Sequence, residues 1–273
     1  MQILYINLAS QNERREFVEK NFADCNYSGW KLNRVDATPA SAMREEDVPG
    51  DLSWNEKACY RSHERAIRQA MDNGGHAFIV EDDVLFGQLS TRLIDGVVNG
   101  LDPDSWDLLF TDIAITDPGT MLDLFRRKRH LKKTEGIVVE NLAEYAFAGA
   151  TAYVVNARSV RKVLALIEAQ RQLDVPYDLL LRELAQKGAL KVRFAFPFLT
   201  SISKYADQSQ IQSGAIHIAD VVWNSFRRFV WLEGDCAVSD QAMQAVIKDY
   251  DDKDVDSMLM ILRVFLSEKF EYK

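Results

Sequence analysis

The chain has 273 residues and a formal net charge of −8, with 47% hydrophobic and 27% charged residues. That length suffices for one α/β domain with an appendage or two small domains, and the composition is that of a folded globular protein. The acidic excess argues against nucleic acid as a partner. Three cysteines far apart, Cys25, Cys59 and Cys236, give neither zinc spacing nor a disulfide framework and point to a reducing compartment.

"QILYINL" (2–8) reads as a first strand, and "MQILYINLAS" has neither a basic leader nor a cleavage site. No run approaches the ~18 apolar residues of a membrane span, so the expected location is the cytoplasm. "SQNERREFVEKNF" follows as a helix, with Ser10 and Glu13 at capping-box spacing. "GWKLNRVDA" (29–37) is a second strand and "TPASAMREEDVPGDL" a loop. "SWNEKACYRSHERAIRQAMDNGG" carries a second capping box, Ser53 with Glu56, and a Gly74–Gly75 stop. "HAFIV", "SWDLLFTDIAI", "AFAGATAYVVN" and "LKVRFAFPF" are further strands. "ARSVRKVLALIEAQ" and "YDLLLRELAQKG" are helices, the second closed by Gly188. Strands alternating with helices imply an α/β fold with a largely parallel sheet covered on both faces. Ligands of such sheets bind outside the carboxyl ends of the strands, where Asn7, Asp36 and the Glu81–Asp83 group fall. From about residue 215 the pattern turns helical, which suggests a main domain over 1–214 and a helical extension over 215–273.

"HAFIVEDDVLFG" sets three consecutive carboxylates, Glu81, Asp82 and Asp83, directly after an apolar run. Adjacent acids at the rim of a core repel one another unless a cation or a set of donors compensates them. In an extended segment Glu81 and Asp83 point together and Asp82 away. Such a pair suits Mg²⁺ or Mn²⁺, which takes one or two protein carboxylates and completes its shell with waters and phosphates. A solvated turn capping a neighbouring helix is the alternative. In the preceding helix Cys59, Ser62, His63, Ala66, Ile67 and Ala70 form one stripe, so Ser62 and His63 should face the sheet and need hydrogen-bond partners. They are either core polar contacts or braces for the loop that carries the acids.

Taken in order, these segments resemble glycosyltransferase family 25, the bacterial lipooligosaccharide galactosyltransferases and their collagen-modifying relatives. "INLASQNERR" is similar to the family's opening strand and paired arginines, Arg14 and Arg15 here. "NEKACYRSH" matches its Glu-x-x-Cys-x-x-Ser-His helix at Glu56, Cys59, Ser62 and His63. "FIVEDDVLF" resembles its acidic signature, "AGATAYVVN" its Gly-containing strand, and "VPYDLLL" its helix-initial Asp, at Asp178. The match runs over roughly residues 2 to 211 in order, with Ala9, Asn55 and Ala58 departing from the family's frequent choices.

The resemblance implies a GT-A-like nucleotide-sugar-binding domain with a mostly parallel central sheet. The activity it implies is inverting, metal-dependent transfer of a hexose, galactose from UDP-galactose, to a lipooligosaccharide or other surface-glycan acceptor. Mn²⁺ or Mg²⁺ would be held by Asp83 and Glu81, with Asp82 reaching the ribose or a metal-bound water. Asn7, Arg14 and Asp36 would contact uracil and ribose, and Glu56, Ser62 and His63 fall with them on the substrate side. Asp178, with Asp174 second, is the expected base; capping its own helix is the competing role for Asp178. His217 is a candidate late metal ligand or a structural residue. A catalytically silent glycan- or nucleotide-binding module on the same scaffold is the alternative function. A sugar-nucleotide-forming nucleotidyltransferase fits less well, because "NLASQNERR" contains no glycine for a phosphate loop. The basic run "RRKRHLKK" (126–133), in the connection between two strands, is either a solvated loop or a point of attraction for a phosphorylated, lipid-linked acceptor or an anionic membrane surface. "VVWNSFRRFVWLEG" has the spacing of an amphipathic helix, packed on the main domain unless it meets a second subunit or lipid.

Overall fold

The computed structural model describes residues 1–46, 48–134, 136–208 and 218–234. Its centre is a seven-stranded sheet in the order β2-β1-β3-β7-β5-β8-β6. The strands are β1 (Gln2–Asn7), β2 (Lys31–Asp36), β3 (Ala77–Glu81), β5 (Leu108–Ile115), β6 (Val138–Asn141), β7 (Phe147–Val155) and β8 (Val192–Phe196). β4 (Val84–Phe86) and β9 (Thr200–Ile202) pair separately as a short antiparallel ribbon. β1 is parallel to β2 and β3, and β5 to β8, while β7 and β6 run antiparallel to their neighbours. Five of the seven strands therefore point one way, giving the mostly parallel α/β sheet expected from the sequence.

Helices cover both faces because the strands alternate. Leu4 and Ile6 of β1 join the apolar cluster under α3 (Trp54–Ala70), α6 (Val160–Glu168) and α7 (Tyr177–Gln186). Ile3 and Tyr5 join the opposite cluster, under α1 (Asn12–Cys25) and α4 (Ser90–Gly100). A period of two in each strand thus feeds two cores. α2 (Ala40–Glu45) seats Met43 in the first of them.

Three segments differ from the sequence expectation. The first helix takes Gln11 as N-cap with no side-chain cap hydrogen bond, so Ser10 and Glu13 do not form the expected box. Ser53 and Glu56 do form theirs: Glu56 N–H donates to Ser53 Oγ at 3.3 Å and Ser53 N–H to Glu56 Oε2 at 2.9 Å. The basic run lies in a helix, α5 (Pro118–Thr134), rather than a connecting loop. Met121, Leu124, Phe125 and Lys128 recur at helical spacing and are buried, and this stripe is what makes it a helix. Lys128 Nζ donates to the carbonyl oxygens of Phe229 and Trp231, and Arg127 pairs with Glu140.

Residues 218–230 form α8 (Ile218–Val230), as the amphipathic spacing indicated. It packs on the main domain: Val230 is fully buried in the first core, with Phe226 and Phe229 against it. Arg227, 6% exposed, donates through Nε and Nη2 to the carboxylate of Asp112 in β5 and through Nη2 to Thr151 Oγ1 at 2.8 Å. A buried charge pair of this kind is costly to break from one side. Residues 235–273, including Cys236, and His217 lie outside the described residues. Among the described residues no helix is long and apolar enough to cross a membrane.

Candidate active site at the carboxyl ends of the first three strands

The parallel register fixes the site's address. Asn7 pairs with Asp36 across β1 and β2, and Ile6 with Glu81 across β1 and β3, so Asn7, Asp36 and Glu81 end their strands on one rim. A cleft of about 150 Å³ opens there, lined by residues that include Asn7, Arg14, Thr38, Cys59, Ser62, His63 and the three acids.

β3 stops at Glu81, and Asp82 and Asp83 form the turn into β4. The alternation expected for an extended strand therefore ends before the second acid. Glu81 faces His63, with Oε1 3.5 Å from Nε2. Asp82 and Asp83 instead share one partner: Arg14 of α1 places Nε 2.7 Å from Asp82 Oδ1 and Nη2 3.0 Å from Asp83 Oδ2. The Nε contact is one of charge, without the alignment of a hydrogen bond. Asn7 Nδ2 donates to Asp82 Oδ2 at 2.7 Å, and Asn7 Oδ1 accepts from Arg34 Nε at 3.0 Å. Asp83 Oδ1 is buried with no hydrogen-bond partner.

The electrostatics follow from that arrangement. Burial pushes Asp83 up to about 7; the charges of Glu81 and Asp82 act in the same direction, and Arg14 opposes them. Burial also raises Asp82, against Arg14 and Asn7. For Glu81 burial acts upward but is outweighed by the hydrogen bond and charge of His63 and by Arg227 and Arg14, so it is held below its ordinary value. Burial pushes the Cys59 thiol well up, and the charges of Glu81, Asp178 and Asp83 add to the push.

The helix stripe behaves as its spacing indicated. Ser62 Oγ donates to Ala58 O at 2.7 Å and accepts from Thr38 N–H at 2.9 Å, fixing the loop after β2 against α3. His63 is 1% exposed and stacked on Tyr177 at 4.3 Å between ring centroids. Its Nδ1 is 3.1 Å from Tyr153 OH, which is 2.8 Å from Tyr177 OH. Both phenols are pushed up by burial. Nε2 of His63 thus faces the Glu81 carboxylate and Nδ1 the Tyr153 hydroxyl, so both ring nitrogens have a polar neighbour.

The remaining predicted residues lie at varying remove. Asp178 stands in the first turn of α7, and its Oδ2 accepts from the N–H of Gly149, whose φ of +80° suits glycine. Asp174 is exposed, and its Oδ1 accepts from Asp51 N–H at 2.9 Å, tying the loop before α7 to the loop before α3. At that junction a Cβ on Gly50 would meet the Leu173 backbone at 2.4 Å. Glu56 is committed to its capping box. Asp36 is exposed and paired with Arg34 at 2.8 Å, its carbonyl oxygen accepting from Arg65 Nη1. Tyr205 and Arg227 were not anticipated: the Arg14 guanidinium lies 6.0 Å from the Tyr205 ring centroid, and Arg227 acts electrostatically on Glu81 and Asp83. Neither carries a local sequence signal, since each reaches the site from beyond residue 200.

Among the described residues no set of three or more His, Cys, Asp or Glu side chains converges as a metal centre. Mg²⁺ and Mn²⁺ ask less than that, one or two carboxylates with water and phosphate for the rest. The orphaned, buried Asp83 Oδ1 fits that requirement, with Glu81 as the adjacent acid.

No curated protein proves similar to this sequence at a significant level. Among solved structures, the galactosyltransferase LgtC in complex with donor and acceptor sugar analogues is 15% identical, with 71% of this chain and 73% of that one covered and a TM-score of 0.36. Mouse xyloside xylosyltransferase 1 in its apo form is 13% identical, with coverage of 70% and 63% and a TM-score of 0.32. The glycosyltransferase GlyE of Streptococcus pneumoniae TIGR4 is 11% identical, with coverage of 90% and 64% and a TM-score of 0.36. The family model for glycosyltransferase family 25 (LPS biosynthesis protein) matches residues 1–181, well over half the chain, and the chain belongs to that family.

Proposed function

We propose that this glycosyltransferase uses a UDP-hexose, with galactose the expected sugar, and transfers it with inversion to a lipooligosaccharide or other surface-glycan acceptor. The observation that carries the donor reading is the cleft itself: a buried carboxylate oxygen, Asp83 Oδ1, is left without a partner among Asn7, Arg14 and Glu81 at the strand ends. A diphosphate with a divalent cation complements such a group. When bound, Mn²⁺ or Mg²⁺ would lie on Asp83, with Glu81 beside it, and supply Lewis-acid stabilisation of the departing nucleoside diphosphate.

The chain's own residues do the rest. Asn7 and Arg14 orient Asp82, and His63 holds Glu81 charged. Asp178 is our candidate for accepting the acceptor hydroxyl's proton, its carboxylate held in place by the Gly149 N–H. Asp174, bonded to Asp51 N–H, serves better as a loop tie than as a base. Asp178→Asn is expected to lower transfer to acceptor by about a hundredfold or more while leaving UDP binding, read by calorimetry, unchanged. Donor choice is tested with a panel of sugar nucleotides and Mn²⁺, following nucleoside diphosphate release with and without chelator. UDP-galactose is expected to turn over fastest and chelator to stop it; preference for another nucleotide sugar overturns the donor assignment.

A further inference from the structure

Three adjacent acids at the end of a buried strand suggest a site that waits for metal, but the protein already compensates them from within. Glu81 turns to His63, and a single arginine spans the other two. Arg14 is itself largely buried, with 12% of its side chain exposed, so its charge is not screened away by water. The bridge is nonetheless incomplete. Nε meets Asp82 Oδ1 by charge without an aligned hydrogen bond, and Asp83 Oδ1 is left with no partner at all. A bridge built only for stability would not leave a buried carboxylate oxygen unpartnered. The guanidinium also lies over the face of Tyr205, 6.0 Å from its ring centroid. That ring is steadied edge-on by Phe17, one turn along α1 from Arg14.

We infer that Arg14 is a positioning residue that serves as a resident counter-ion: it engages Asp82 Oδ1 and Asp83 Oδ2 in the unliganded chain, and its charge competes with that of a divalent cation arriving at the open Asp83 Oδ1. The inference rests on the donor-site reading given above. Its physical content is a trade between two charges. Without Arg14, neighbouring buried carboxylates would destabilise the empty site. With it, a cation alone gains little, because Arg14 already offsets the carboxylate charge that would attract it. A cation arriving with a diphosphate gains more, since the phosphate oxygens complete its shell and the guanidinium faces an anion.

The test uses the full chain and the variants Arg14→Gln and Arg14→Lys, titrated with Mn²⁺ alone by calorimetry near pH 8, where ordinary carboxylates are ionised. Melting temperatures with and without Mn²⁺ are read alongside. Arg14→Gln should bind Mn²⁺ about tenfold more tightly than the parent. It should also melt lower without metal and recover when Mn²⁺ is added. Arg14→Lys keeps the charge and should stay near the parent in both measurements. Unchanged or weaker Mn²⁺ binding by folded Arg14→Gln overturns the inference, as does a lack of Mn²⁺ binding by all three proteins. If Arg14→Gln does not fold unaided, refolding with Mn²⁺ supports the inference when structure returns and counts against it when it does not. The donor reading fails separately. Release of nucleoside diphosphate that persists in excess chelator keeps the donor and removes the competing cation. No release from any sugar nucleotide removes the donor reading, whatever Mn²⁺ does.

Discussion

Asp107 and Asp83 are both buried aspartates at strand ends, 5% and 8% exposed, and the fold treats them in opposite ways. Asp107 sits just before β5, at the amino end of the sheet, where every oxygen is taken. Oδ1 accepts from Ser159 Oγ at 2.5 Å; Oδ2 accepts from Lys162 Nζ at 2.6 Å and Lys191 N–H at 2.7 Å. Burial acts to raise it, but those donors outweigh burial and hold it below the usual carboxylate range. Asp83, at the carboxyl end, has one oxygen on Arg14, one on nothing, and two acidic neighbours in sequence that push it upward. The same side chain at similar depth is a closed structural joint in one place and an open valence in the other. Partner satisfaction, rather than burial, separates the group that holds the fold from the group reserved for a ligand.

The contrast can be broken most directly by removing the open acid. Asp83→Ala is expected to cut sugar-nucleotide turnover by about a hundredfold or more without lowering the melting temperature. Near wild-type transfer would place Asp83 with the structural acids. Asp107→Ala should behave inversely. It strands the Ser159, Lys162 and Lys191 donors and should cost about 2 kcal/mol of stability, with turnover per folded molecule nearly unchanged.

The pH dependence sharpens the same contrast. A depressed folded-state pKa means that Asp107 stabilises above its unfolded value of about 4 and loses that contribution as pH falls through the lower folded value. Denaturant titrations of the parent and Asp107→Asn should therefore differ most near neutrality and converge in acid. The Lys162 part of the difference should be small, since that side chain is 46% exposed and screened. The smallest effect belongs to the cap that starts α3 and so sets Ser62 and His63 in place. Ser53→Ala should cost about 1 kcal/mol and leave the Michaelis constant for the donor unchanged.

What the sequence disclosed was mostly local. A near-continuous apolar run marks each of β1, β3 and β7, the Ser53–Glu56 spacing marks the start of α3, and the stripe through Ser62 and His63 shows which face is buried. The rim address of Asn7, Asp36 and Glu81 followed from strand ends in a parallel sheet. What escaped was set by tertiary contact. Nothing near Arg14 says that it will lie across two acids about seventy residues away, and nothing near Arg227 names Asp112. Residue spacing also misjudged the turn after Glu81, where Asp82 and Asp83 leave the strand and both reach Arg14. Ser10 failed as a cap for a related reason: the chain enters α1 one residue later, at Gln11.

The ion pair between Arg227 and Asp112 bears on how the gene can be dissected. An expression fragment ending at residue 214 would delete the cation and leave Asp112, in the middle of the sheet, as an anion sealed in hydrocarbon. Such a fragment should come out of cells as inclusion bodies. One that runs through Gly234 keeps the charge matched and is the shorter piece worth crystallising.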